Sequence, residues 1–156
     1  MLSGENRFNK NILIAVDESE NARRAVIYVG KLLGGIKGFK VLILHIIRQP
    51  EEDYFSNLSE RDKWLEDYQL KVDAMLEDYR KLLIDRGFAP AAVSVRSMLR
   101  HCPSLAECIL FELQQTQYHT IVVGRQGLSR SEAFLFGSVS SKIVNHARDC
   151  TVWVVE

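Results

Sequence analysis

The residues best suited to chemistry in this chain are the glycines and serines of one stretch near its C-terminus, Gly124, Gly127, Gly137, Ser138 and Ser140. Gly124 directly follows the apolar run Thr120–Val123, where a glycine lets backbone approach a ligand with no Cβ in the way. Gly137-Ser138-Val139-Ser140 opens a segment in which Val139, Ile143, Val144 and Ala147 recur at helical spacing. A helix start of this kind offers unpaired N–H groups, the positive end of the helix dipole and two hydroxyls, which together suit a phosphate. Two glycines near a helix also describe a tight turn with no ligand, so the local pattern leaves both readings open. Asp17, which ends the run Asn11–Val16, is the second candidate. It serves either as a ligand group or as a helix-start residue that joins Ser19 in satisfying backbone N–H groups.

The remaining reactive side chains do not assemble into catalytic machinery. His45, His101, His119 and His146 are scattered, with no visible set of nucleophile, base and orienting group. Ser138 and Ser140 read as phosphate ligands, so no catalytic residue is assigned and any hydrolysis of a bound phosphate ester is expected to be slow. No second acidic residue is placed beside Asp17 as a phosphoacceptor site requires. Arg125 and Arg130 either neutralise a terminal phosphate or stand solvated in their loop. Cys102, Cys108 and Cys150 lack C-x-x-C spacing, and their odd number with no secretory leader predicts free thiols in a reducing compartment. Cys102 stands at a helix start, where it is a thiol of lowered pKa or an ordinary small capping residue. No metal ligand is assigned.

These groups must be positioned by the rest of the chain. Its 156 residues suit one domain, 1–156. Lys plus Arg and Asp plus Glu number 20 each, so the net charge is zero and the molecule has no global attraction for nucleic acid or anionic membrane. Met1–Lys10 is polar and no apolar run approaches the ~20 residues that span a bilayer, so the expected location is cytoplasmic.

Short apolar runs at 11–16, 40–47, 92–98, 120–123 and 151–155 read as strands, the first, second and fourth of them covered on both faces. Helical stripes lie between them. Ser19 precedes Ala22, Ala25, Val26, Val29, Leu32 and Leu33, with Gly34-Gly35 as the stop. Leu58–Asp62 resembles a capping box that leads into Trp64, Tyr68, Val72, Met75, Leu76, Tyr79, Leu82 and Leu83, closed by Gly87. Cys102-Pro103-Ser104 opens a third helix, with proline where a first helical turn accepts it and Leu105, Cys108, Ile109 and Leu113 as its inner face. Tyr54, Phe55 and Trp64 form an exposed patch or fold down as an anchor for their loop. Strands alternating with helices predict a parallel sheet with helices on both faces, whose ligands sit at the carboxyl edge where strand order reverses.

The full spacing Gly-x2-Gly-x9-Gly-Ser, after a buried strand and before a helix, resembles the ATP-binding motif of the universal stress protein family. Asn11–Ser19 is similar to the family's first strand and aspartate, Leu42–Ile46 to its second strand, and Gly137–Val144 to its phosphate-binding helix start. The resemblance implies a doubly wound, Rossmann-like five-stranded parallel sheet of order 3-2-1-4-5, of the adenine nucleotide alpha hydrolase type. It implies ATP, with Mg2+ as its companion ion, as the ligand. Asp17 and the Ile46 backbone would meet the adenine, and Ala15, Val16 and Val123 would line the base pocket. Gly124 and Gly127 would lie near the ribose and first phosphate, with Gln126 as a polar contact. Gly137, Ser138, Val139 and Ser140 would hold the phosphate chain. The resemblance also implies a homodimer through the last strand, Thr151–Val155, which as an apolar edge invites pairing.

Three positions depart from the family pattern. Gln126 stands where members often carry His, His101 where many have a glycine before the proline, and Thr151 where proline is frequent. The expected function is an ATP-binding regulatory or stress-response module in which nucleotide orders Leu128–Phe136. The alternative is a nucleotide-free interaction or dimerisation protein of the same fold.

Overall fold

A computed structural model describes residues 9–125 and 138–156, apart from the side chains of residues 52 and 138. Along the chain run β1 (Asn11–Ala15), α1 (Glu20–Leu33), β2 (Lys40–Arg48), α2 (Leu58–Ile84), β3 (Val93–Arg100), α3 (Leu105–Gln115), β4 (Thr120–Gly124), α4 (Ser138–His146) and β5 (Thr151–Val155). The five strands form one parallel sheet of order β3-β2-β1-β4-β5. The strand order therefore reverses at β1, which pairs with β2 on one side and β4 on the other, so the chain leaves both β1 and β4 at the same edge.

The continuous apolar strands are explained by cover on both faces. Ile12, Ile14, Ile43 and Val122 point into a core shared with α1 and α2. Leu13, Leu42, Leu44, Ile121 and Val123 point into a second core shared with α3 and α4. Each side chain removed from water here contributes about 1.5–3 kcal/mol of burial, which is why β1, β2 and β4 carry almost no polar residue.

Helix boundaries follow side-chain caps. Ser19 Oγ accepts from Ala22 N at 3.2 Å and starts α1, as its sequence predicts. The α2 box lies two residues earlier than the Ser59–Asp62 pairing that the sequence suggests. Asn57 Oδ1 accepts from Glu60 N at 2.8 Å, and the Glu60 carboxylate accepts from Ser56 N at 3.3 Å. Glutamate reaches back across the first turn where the shorter Asp62 does not. Two residues placed inward by periodicity face solvent instead: Leu32 is 47% exposed and Val144 is 53% exposed. Each lies beside a deeper residue of its stripe, Leu33 or Ile143, which takes the place in the core.

Strand β3 starts at Val93 and runs to Arg100, two residues beyond its apolar pattern, because its register with β2 continues to the pair Arg48–Arg100. The cysteines also differ from expectation. Cys102 and Cys108 are joined in a disulfide, leaving Cys150 as the free thiol. The start of α3 folds Cys108 back over the turn that carries Cys102, a proximity that spacing without C-x-x-C does not reveal. Among the described residues no helix is long and apolar enough to cross a membrane.

Candidate functional site

The exits of β1, β2 and β4 meet at the carboxyl edge of the sheet. Val16 N donates to Leu44 O at 2.9 Å, just past the last β1–β2 pair, Ala15–Leu44. Val16 O accepts from His45 Nδ1 at 2.7 Å, and Asp17 O accepts from the Tyr79 hydroxyl at 2.6 Å. Asp17 Oδ1 then accepts from Ser19 N at 2.8 Å. The Asp17 carboxylate thus does serve the start of α1, as one of its two sequence readings holds. Its second oxygen carries no bond to another described residue.

Ala15, Val16 and Val123 are buried side by side at this edge. Ile46 is two residues past the last β1–β2 pair, so its β1-facing backbone has no ladder partner there. On its other side it remains paired with β3. The structure thus brings Ala15, Val16, Asp17, Ile46, Val123 and Gly124 to one end of the sheet around the point where strand order reverses, the usual ligand position in open α/β sheets.

Gly124 has a reason of its own to lack a side chain. A Cβ there would lie 2.7 Å from the carbonyl carbon of Asn21 and 2.8 Å from its oxygen. The first turn of α1 therefore packs directly onto the end of β4, and the glycine permits that approach whether or not a ligand is present.

Helix α4 begins beside this exit. Ser140 is buried and its hydroxyl donates to Arg125 O at 2.7 Å, which ties the first turn of α4 to the residue after β4. Val139 packs against the core under α3 and α4. Arg125 is held on the β5 side, its N–H on Val155 O at 2.7 Å and its guanidinium on the Glu156 carboxylate at 2.9 Å. This exposed ion pair engages the guanidinium on the β5 side. Ser138 opens α4. Gln126, Gly127, Arg130, Gly137 and the segment 128–136 lie outside the described residues.

The charge around the helix starts is uneven. Helices α1, α2 and α3 each carry a glutamate in the first turn (Glu20, Glu60 and Glu107), whereas α4 has no acidic residue there. A first-turn carboxylate neutralises the positive end of the helix dipole. Helix α4 has no such group of its own.

Two supporting residues are not identified by the sequence patterns. By sequence His45 reads as a strand-end or surface residue and Tyr79 as one member of an apolar stripe, whereas His45 is buried within β2. Both fix backbone carbonyls of the Val16–Asp17 turn. Beyond them runs an aromatic row in which Phe55 touches Trp64 and Trp64 stacks on Tyr68 at 5.0 Å between ring centroids. Phe55 thus anchors its loop, while Tyr54 rests on Phe55 and stays exposed. Burial, then the carboxylates of Glu18 and Asp17, raises the Tyr68 pKa.

The fold and edge geometry define a doubly wound α/β protein whose strand order reverses at β1. The family model described as the universal stress protein family matches residues 9–156, and the chain belongs to that family. Similar solved structures include the hypothetical protein MJ0577, 24% identical, with a TM-score of 0.77 over 95% of this chain and 96% of that one. A universal stress protein in complex with cAMP is 17% identical, with a TM-score of 0.66 over 94% of this chain and 96% of that one. The universal stress protein from Archaeoglobus fulgidus in complex with dAMP is 17% identical, with a TM-score of 0.65 over 94% and 97% of the two chains. No curated protein matches the chain.

Burial first, and the Asp17 carboxylate second, push the Tyr79 hydroxyl from 10.0 up to about 12. The unfolded chain therefore loses this proton first as pH rises. The stability that neutral Tyr79 supplies is complete below pH 10 and disappears as pH climbs through about 12. Tyr79→Phe should cost about 1–3 kcal/mol at pH 8 by leaving Asp17 O without its donor, and should decline less steeply than wild type between pH 10 and 11.5. Urea unfolding at both ends of this range measures the effect; equal alkaline slopes would show that Tyr79 does not carry it.

Proposed function

We propose that this protein binds an adenine nucleotide, ATP, at the carboxyl edge between β1 and β4, and acts as a nucleotide-dependent regulatory or stress-response module. The observation that carries the reading is the start of α4. It has no acidic residue in its first turn and is tied by Ser140 to the exit of β4, across the strand-order reversal from Asp17. Relatives of the same fold in complex with cAMP and with dAMP support an adenine nucleotide as the ligand class.

In this reading the base lies among Ala15, Val16 and Val123, with the Asp17 carboxylate and the free backbone edge of Ile46 as hydrogen-bonding partners. Gly124, Gln126 and Gly127 follow the ribose and first phosphate. Gly137, Ser138, Val139 and Ser140 present backbone N–H groups to the remaining phosphates. Ser140 contributes chiefly its N–H, since its hydroxyl proton is committed to Arg125 O. Among the described residues no group of three His, Cys, Asp or Glu side chains could hold a metal ion. A magnesium ion arriving with ATP would take its ligands mainly from phosphate and water. The protein is assigned no catalytic residue, works as a single domain, and is expected to be cytoplasmic.

Calorimetric titration of ATP into nucleotide-stripped protein should show saturable binding. Gly137→Val should weaken it by roughly 100-fold or more, ~3 kcal/mol, with an unchanged circular dichroism spectrum. A well-folded wild type that gives no heat with ATP, ADP or AMP would end the reading.

The alternative, a nucleotide-free interaction module, draws on two features. Asn21 already accounts for Gly124, and β5 is an edge strand with Val154 43% exposed. A cavity of about 340 Å³ opens beside it, lined among the described residues by Arg125, Ser140, Ser141, Val144 and Val154. Pairing of two copies through β5 is compatible with either function. Val154→Glu should convert a dimer to monomer by light scattering, and a dimer that survives the change would place the interface elsewhere.

A further inference from the structure

A second chemically distinct feature lies at the junction of β3 and α3. Cys102 stands in the turn after β3 and Cys108 in the first turns of α3, with their Cα atoms 5.9 Å apart and their sulfurs bonded. The backbone around them is fixed by groups other than the cysteines. Ser104 Oγ accepts from Glu107 N at 3.3 Å and donates to the Glu107 carboxylate at 3.0 Å, which caps α3. Arg100 Nε reaches the buried Glu112 carboxylate at 3.1 Å, joining the end of β3 to the middle of α3. Gln49 N also donates to Arg100 O at 3.0 Å and holds the turn to the end of β2. Breaking the disulfide therefore leaves the two thiols facing each other within bonding reach.

The two sulfurs are not equivalent. Cys108 is buried in the core with Ile46, Ala106 and Ile109, whereas Cys102 is half-buried at its margin. Of the pair, Cys102 is the one with exposed surface, so an outside reagent reaches its side chain first. The third thiol competes poorly, because burial and then the Asp149 carboxylate push Cys150 up and keep it protonated.

We propose that Cys102 and Cys108 form a reversible thiol–disulfide switch, closed by hydrogen peroxide and opened by small thiols. The Cys102 thiolate attacks one oxygen of the peroxide, the O–O bond breaks, and water leaves once the departing hydroxide takes up a proton. Cys102 becomes a sulfenic acid. The Cys108 sulfur then attacks the Cys102 sulfur, and hydroxide departs as a second water with the Cys108 proton. In sum, two thiols lose two protons and two electrons, and hydrogen peroxide is reduced to two waters. In the reverse direction a small thiol attacks the Cys102 sulfur, and a second equivalent releases Cys102 and leaves as the small-molecule disulfide. The closed bond ties the turn after β3 to α3 beside Ile46. The switch requires no bound nucleotide, and a failure of nucleotide binding would leave it intact.

The test uses the full chain, fully reduced, freed of reductant and treated with one equivalent of hydrogen peroxide. Thiols counted after denaturation should fall from the three of the sequence to one, and dithiothreitol should restore the rest. Non-reduced peptide mapping should join Cys102 to Cys108, in the wild type and in Cys150→Ser alike. In Cys108→Ser, Cys102 should be captured by dimedone as the sulfenic acid. Three thiols persisting after peroxide, or a cross-link through Cys150, would overturn the proposal.

Discussion

The end of β1 is the constraint on which the functional edge depends. Within four residues, 16–19, the chain must stop pairing with β2, turn, and start a helix without leaving backbone groups unsatisfied in a buried place. Four bonds achieve this. Val16 N uses Leu44 O, Val16 O uses the His45 imidazole, Asp17 O uses the Tyr79 hydroxyl, and Asp17 Oδ1 takes Ser19 N. The partners come from β2, α2 and the start of α1, so three elements converge on one turn. With the turn fixed, α1 is aimed so that Asn21 lies against Gly124, and β4 has to end on a glycine. The same contact sets where the chain leaves β4 and, through Arg125 O and Ser140, where α4 begins.

Electrostatics at this edge are local. The chain is neutral overall, so nothing draws a polyanion from a distance. At close range the helix starts differ, because Glu20, Glu60 and Glu107 already answer the dipoles of their own helices while α4 has serines in the corresponding turn. An anionic ligand would supply the charge that the sequence omits there. Asp17 lies at the end of the neighbouring strand, where a carboxylate suits hydrogen-bond donors of a base and would repel phosphate. The two ends of the proposed site are thus chemically polarised along the length of a nucleotide.

Much of this architecture is legible in the sequence because burial on both faces leaves uninterrupted apolar runs, as in Ile12–Val16 and Val41–Leu44, and because Ser19 advertises a helix start; Pro103, which reads as part of the first turn of α3, instead lies before its cap Ser104. The order 3-2-1-4-5 came through the family resemblance, and the observed sheet has it. Periodicity alone does not rank neighbours within a stripe, so it points Leu32 and Val144 inward although Leu33 and Ile143 fill those positions. The disulfide escaped because its proximity arises from how α3 starts. His45 and Tyr79 escaped for a related reason: their roles depend on carbonyls that only the folded turn presents, and no spacing in the sequence marks them. Gly124 was legible as a glycine that must be there, but its neighbour in space is Asn21 as well as any ligand.

The most direct test of the account is backbone amide chemical-shift mapping of the protein as ATP is added. The account predicts saturable shifts concentrated at Val16, Asp17, Ile46, Gly124, Val139 and Ser140, residues far apart in sequence and joined only by the strand order. Shifts confined to the outer face of α2 or to β3, with these amides unmoved at saturation, would contradict it.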